Sequence, residues 1–143
     1  MNYRLSIAAL RVKGKRGFVI ESKGKTLEAF VHKSSSLNLK EDILITLTDG
    51  LRAIKSYIKH EDILFIEIQN QHLQQWLSGM VEYKDYVEAL DSVFEVLETL
   101  DCRYRFIFIK DPYAKKVVSQ TNLSKEEGNG SSLLDVIKEF EEN

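Results

Sequence analysis

Glu67 and Gln69 stand two residues apart in the run Phe65-Ile66-Glu67-Ile68-Gln69, and on an extended chain that spacing sends both side chains to one side. Asp42 and Asp49, seven residues apart, share a face of any helix that contains them. Brought together, Asp42, Asp49 and Glu67 would suit Mg²⁺ or Mn²⁺, hard cations that take oxygen ligands and can bridge a phosphate during hydrolysis. A plainer role also fits, since Asp49 has Arg52 and Lys55 as helix-surface neighbours. The run Gln69-Asn70-Gln71-His72 offers neutral donors and acceptors to a phosphate or a base, or a helix cap at Asn70 followed by solvated side chains. His72 has no serine or cysteine nucleophile near it in the chain, which leaves it little to do in acid–base catalysis.

A second group is basic. Residues 1–33 carry eight Lys and Arg, among them Lys13, Lys15 and Arg16, against Glu21 and Glu28, although the whole chain has a net charge of −2. Such a segment attracts polyanions, and it is equally ordinary as the solvated loops of hairpins. Ser34, Ser35 and Ser36 add small hydroxyls that can hold a phosphate without reading sequence. Residues 125–143 are the opposite, with Lys125 and Lys138 against six acids. There Leu133, Val136, Ile137 and Phe140 recur at helical spacing, a stripe suited either to another protein's groove or to the chain's own sheet. One cysteine, Cys102, excludes an internal disulfide, and with three scattered histidines it makes a poor zinc set.

The elements that must position these groups follow from periodicity. Arg4–Val12, Gly17–Ser22 and Thr26–His32 read as strands joined by Lys13-Gly14-Lys15 and Lys23-Gly24-Lys25, an antiparallel meander. Asn38 caps a helix with Glu41 three residues later, and Leu44, Leu47, Leu51, Ile54 and Ile58 form its apolar stripe. Ile63–Ile68 is almost continuously apolar, the pattern of a strand covered on both faces. Helices follow through Leu73, Trp76 and Leu77 and from about Lys84 to Leu100, then a strand over Cys102–Ile109 and a short helix over Ala114–Thr121. A polar linker and a final amphipathic stretch complete the chain. Its 143 residues imply one domain, with no apolar run of membrane-spanning length and no signal peptide, so cytoplasmic residence is expected.

This order, a three-stranded meander, a helix and a buried parallel strand, resembles that of ribonuclease H-like domains. The stretch Ile45–Ile58 is similar to the family's first helix, and Phe65–Leu73 to its strand-to-helix junction; the resemblance covers about residues 3 to 121. It implies an α/β fold with a mixed five-stranded sheet, the meander plus two parallel strands, flanked by helices. The domain is expected over 1–121, followed by a flexible linker and short amphipathic helix over 122–143. The family places four acids for two-metal catalysis. Their counterparts here are Ala8 or Ala9, a position near Ile43 with Glu41 and Asp42 close by, Gln69 and Lys116.

The resemblance therefore implies a scaffold without its catalytic acids and with no metal or other cofactor. The leading expectation is a pseudo-nuclease that binds duplex or RNA–DNA hybrid through Lys13, Lys15, Arg16, Ser34, Ser35, Ser36, Gln69, Asn70 and Lys116. A protein-interaction or inhibitor module acting through the altered site face or through Leu133, Val136, Ile137 and Phe140 is the alternative. A nuclease using Mg²⁺ or Mn²⁺ on relocated Asp42, Asp49 and Glu67 is the third.

Overall fold

The computed structural model describes residues 1–34, 38–80 and 84–121. Strands β1 (Asn2–Leu10), β2 (Lys15–Ser22) and β3 (Lys25–Lys33) form the meander, and α1 (Leu39–Ile54) leads to β4 (Ile63–Ile68). Helices α2 (Gln71–Leu77) and α3 (Val87–Glu98) then precede β5 (Arg103–Phe108) and α4 (Tyr113–Gln120). The sheet order is β3-β2-β1-β4-β5, with β1–β2 and β2–β3 antiparallel and β1–β4 and β4–β5 parallel. This is the expected mixed α/β sheet. Parallel neighbours need a crossover, and α1 and the α2–α3 pair supply the two required.

Alternation along the strands separates two cores. Leu5, Ile7, Phe18, Ile20, Leu64, Ile66 and Ile68 face α1 and α3 in the larger one. Ala8, Val19, Ala29 and Val31 face α4 through Ala114, Val117 and Val118 in the smaller one. The helix α1 lies close on the sheet because Gly50 has no side chain: a Cβ there would come within 2.8 Å of a Leu5 methyl. The approach of α4 depends likewise on Gly17. A Cβ on Gly17 would sit 2.3 Å from the Phe30 carbonyl oxygen and 2.8 Å from Val118 Cγ2.

Element ends depart from the periodicity for local reasons. The helix α1 stops at Ile54 rather than Ile58, because the N–H groups of Tyr57 and Ile58 both turn back to the Ile54 carbonyl. Tyr57 is held in that turn by the Tyr3 hydroxyl on its carbonyl and by its own hydroxyl on Glu28. Arg11 and Val12 belong to the turn closed by Gly14 N–H on the Arg11 carbonyl, so β1 ends at Leu10 and β2 begins at Lys15. The helix α3 begins at Val87, after Tyr86 in a left-handed conformation with φ 60°. The polar linker and the amphipathic stretch, with Leu133, Val136, Ile137 and Phe140, lie outside the described residues.

Gly17→Ala is expected to lower the unfolding free energy by about 1–3 kcal/mol, because the added methyl meets backbone as well as Val118. Urea denaturation checks it, and an unchanged midpoint would contradict the close α4–sheet packing.

Candidate functional site

The parallel strands β1 and β4 end together, and the crevice beyond such ends is where open α/β sheets hold ligands. Gln69 is the first residue past β4. Its carboxamide does not project into the crevice. Its Oε1 accepts from the Ala9 N–H at 2.8 Å and its Nε2 donates to the Ala9 carbonyl at 3.1 Å. The side chain thereby stands in for one more pair of ladder bonds beyond the last β1–β4 partners, Ile7 and Ile68. A carboxylate has no N–H with which to repeat this pairing. Asn70 is likewise engaged: its side chain accepts from the Leu73 N–H at 3.0 Å and caps α2.

The basic residues divide. Lys13 Nζ donates to the Ser119 carbonyl at 3.0 Å and to its hydroxyl at 3.2 Å, and Lys15 Nζ donates to the Thr121 carbonyl. The β1–β2 turn therefore places two ammonium groups on the C-terminal carbonyls of α4, where orphan acceptors and the helix dipole favour cations. Burial, and then the nearby Lys13 charge, hold Lys15 below the usual lysine range. Arg16 is buried and faces α1, with Nη1 at 2.9 Å from Asp49 and 3.3 Å from the Thr46 hydroxyl. It is part of the core and not of a polyanion-facing loop, correcting its expected place. His32, its cross-strand partner on β3, is held below the usual histidine range by burial and by Arg16, with Asp49 opposing.

The candidate carboxylates are divided by the sheet. Glu67 pairs across the ladder with Ser6 on the α4 face, while α1, carrying Asp42 and Asp49, packs on the opposite face. Among the described residues no three His, Cys, Asp or Glu side chains come together as a metal-binding group. Glu67 lies 3.4 Å from the Arg4 guanidinium and hydrogen-bonds Ser6. Burial nonetheless holds its carboxyl above the usual range, with Arg4 and Ser6 acting against that shift. Ser6 also accepts the Ala114 N–H at 2.9 Å, so one hydroxyl ties the start of α4 to the sheet.

An open groove remains beside the end of β1, lined by Leu10, Pro112, Tyr113, Lys115, Lys116 and Ser119. Lys116 is exposed on α4, and Lys115 is paired with Asp111 at 2.7 Å. Lys13 adjoins this groove through Ser119. Ser34 lies at the end of β3 with its N–H on the Gly14 carbonyl at 2.8 Å; Ser35 and Ser36 lie outside the described residues. Cys102 is half-buried, and burial with nearby Asp62 and Asp101 pushes its thiol up, away from nucleophilic use.

No protein-family model and no curated protein matches the sequence. Solved structures do match. Ribonuclease H1 from the halophilic archaeon Halobacterium salinarum superposes with a TM-score of 0.64 at 13% identity, over 95% of this chain and 99% of that one. The fold is that of ribonuclease H. The N-terminal ribonuclease H domain of Mycobacterium tuberculosis rv2228c matches with a TM-score of 0.61 at 9% identity, covering 83% of this chain and 96% of that one. LC11-RNase H1 in complex with an RNA/DNA hybrid matches at 0.59 and 13% identity, covering 76% and 83%. In this ribonuclease H-like chain Ala8 faces α4, Ala9 carries the Gln69 amide, and Ile43 is buried.

Three features of the site were outside the sequence-based expectation: the Ser6–Glu67–Arg4 group, the Arg16–Asp49 pair and His32. A signal for Arg16 existed in its alternation with Phe18 and Ile20, which puts all three on one strand face. Gln69→Ala is expected to cost about 1–3 kcal/mol, because it strips both partners from a buried Ala9 peptide. Gln69→Glu should destabilise as well, and denaturant midpoints of both variants measure this. Glu67 gives a pH test. Since its folded pKa is raised, the folded state holds more protons and stability falls as pH rises from the ordinary carboxylate range through the raised value. In Glu67→Gln that fall should shrink, as read by melting temperature against pH.

Proposed function

We propose that this chain is a non-catalytic ribonuclease H-like protein that binds nucleic acid, duplex or RNA–DNA hybrid, along the groove between the end of β1 and α4. The observation that carries the reading is the Gln69–Ala9 clasp. It commits the end of β4 to holding backbone, where metal-dependent phosphodiester chemistry would need an anionic ligand. The division of Glu67 from Asp42 and Asp49 by the sheet supports it further and argues against relocated carboxylates. The hybrid bound by LC11-RNase H1, a protein of the same fold, supports the choice of ligand class.

The contact set is narrower than the one expected from sequence. Arg16, Gln69, Asn70 and Lys15 hold contacts within the fold, whereas Lys13 and Lys116 stand at the groove. Lys13 meets two acceptors on Ser119 with an ammonium that has three donors, so it retains one for a phosphate. Tyr113 supplies an aromatic face in the same groove. The geometry suits backbone contact, with base edges left unread.

Filter binding to RNA–DNA hybrid and to duplex at several salt concentrations tests this. Affinity should fall as salt rises, and Lys13→Gln and Lys116→Gln should each weaken binding and flatten the logarithmic salt slope by about 0.9 on duplex. No binding at low salt, or binding indifferent to salt, would overturn the reading.

A further inference from the structure

The helix α4 covers only half of its side of the sheet. It packs on Ala8, Val19, Ala29 and Val31, and beside it β4 and β5 present Ile63, Phe65, Arg103, Arg105 and Ile107 on the same face. Among the described residues no helix packs over these side chains. Two shallow grooves meet there at Phe65, one lined by Arg4, Glu21 and Lys23, the other by Ile63, Cys102, Arg103 and Arg105. Arg4 is engaged with Glu67, whereas Arg103 and Arg105 are exposed and form no ion pair with another described residue. The surface is thus an apolar strip that meets the Arg4–Glu67 pair on one side and is flanked by Arg103 and Arg105, two cations with no ion-pair partner among the described residues.

We propose that the chain's own acidic C-terminal stretch, Leu133 to Glu142, docks on this open half-face. Leu133, Val136, Ile137 and Phe140 would lie along Ile63 and Phe65, and the carboxylates among Asp135, Glu139, Glu141 and Glu142 would meet Arg103 and Arg105. Complementarity of charge is one argument, for this stretch holds those four acids and one base, Lys138. Reach is the other. The described chain ends at Thr121, held by Lys15 at the β1–β2 turn, on the same side of the sheet as the open face. From there to Phe65 is two strand spacings, about 10 Å, and some six residues along the strands, about 20 Å. The dozen residues from Thr121 to Leu133 extend to about 40 Å, so the connection closes without crossing the sheet. Docking would cover Phe65 and occupy one side of the edge strand β5.

Cys102, the single cysteine, packs toward the larger core on the other face of the sheet, so occupancy is read from a cysteine placed in the groove, Ile63→Cys in a Cys102→Ser chain. The rate of its alkylation by a neutral maleimide is measured in the full chain at constant pH, against Leu133→Asp/Phe140→Asp and a chain ending at Thr121. Both changed chains should react several-fold faster, and added salt should speed the unchanged chain most, because it screens the arginine–carboxylate contacts. A charge exchange gives the independent check: Arg103→Glu/Arg105→Glu should lose the protection and Glu139→Arg/Glu141→Arg in the same chain should restore it. Equal rates in all chains would overturn the proposal. Protection that appears only as protein concentration rises would also overturn it, assigning the face to a second copy.

Discussion

The carboxamide of Gln69 holds the two central strands together at the end where a ligand crevice would form. Parallel ladders require their last peptide groups to find partners or water, and Ala9, almost wholly buried, has no water to turn to. Gln69 satisfies its N–H and its carbonyl with one side chain. Once that bond pair is in place, β1 continues to Leu10 in register with β2, the turn beyond it reaches α4, and the lysines of that turn meet the helix's last carbonyls. The polar residues nearest the crevice are thus structural before they are functional.

The same economy explains the α4 side. A single serine within the apolar stretch Leu5 to Leu10 of β1 receives the Ala114 N–H in the first turn of α4 and hydrogen-bonds a carboxylate that would be costly to bury alone. Gly17 allows the helix to approach, and Lys13 and Lys15 close its other end. Three interactions separated by about a hundred residues in sequence fix one eight-residue helix, which is too short to be stable in isolation. Its exposed Lys116 consequently sits at a defined position in the groove with Leu10 and Tyr113.

Much of this architecture was legible in the chain. Ile63–Ile68 is a strand end to end because a continuous apolar run bounded by polar residues suits a central strand, and Asn38 and Asn70 cap the helices as their residue type suggests. Local chemistry decides such features. The site was harder to read because its decisive contacts are not local. Nothing near Lys13 in sequence announces Ser119, and Arg16 looked like a loop residue because β2 begins at Lys15, three positions before its apolar run. Gln69 could be read as a ligand-facing amide until the structure brought Ala9, sixty positions away, into bonding distance. Its residue type announced an amide's chemistry but not which partner would use it.

We propose that the ribonuclease H fold of this chain presents a polyanion-binding groove without two-metal chemistry. The most direct test incubates labelled RNA–DNA hybrid with the full chain in Mg²⁺ and, separately, in Mn²⁺, followed by denaturing electrophoresis. The account predicts hybrid that is retained by the protein yet intact with both ions. Metal-dependent cleavage that disappears in Glu67→Gln would contradict it.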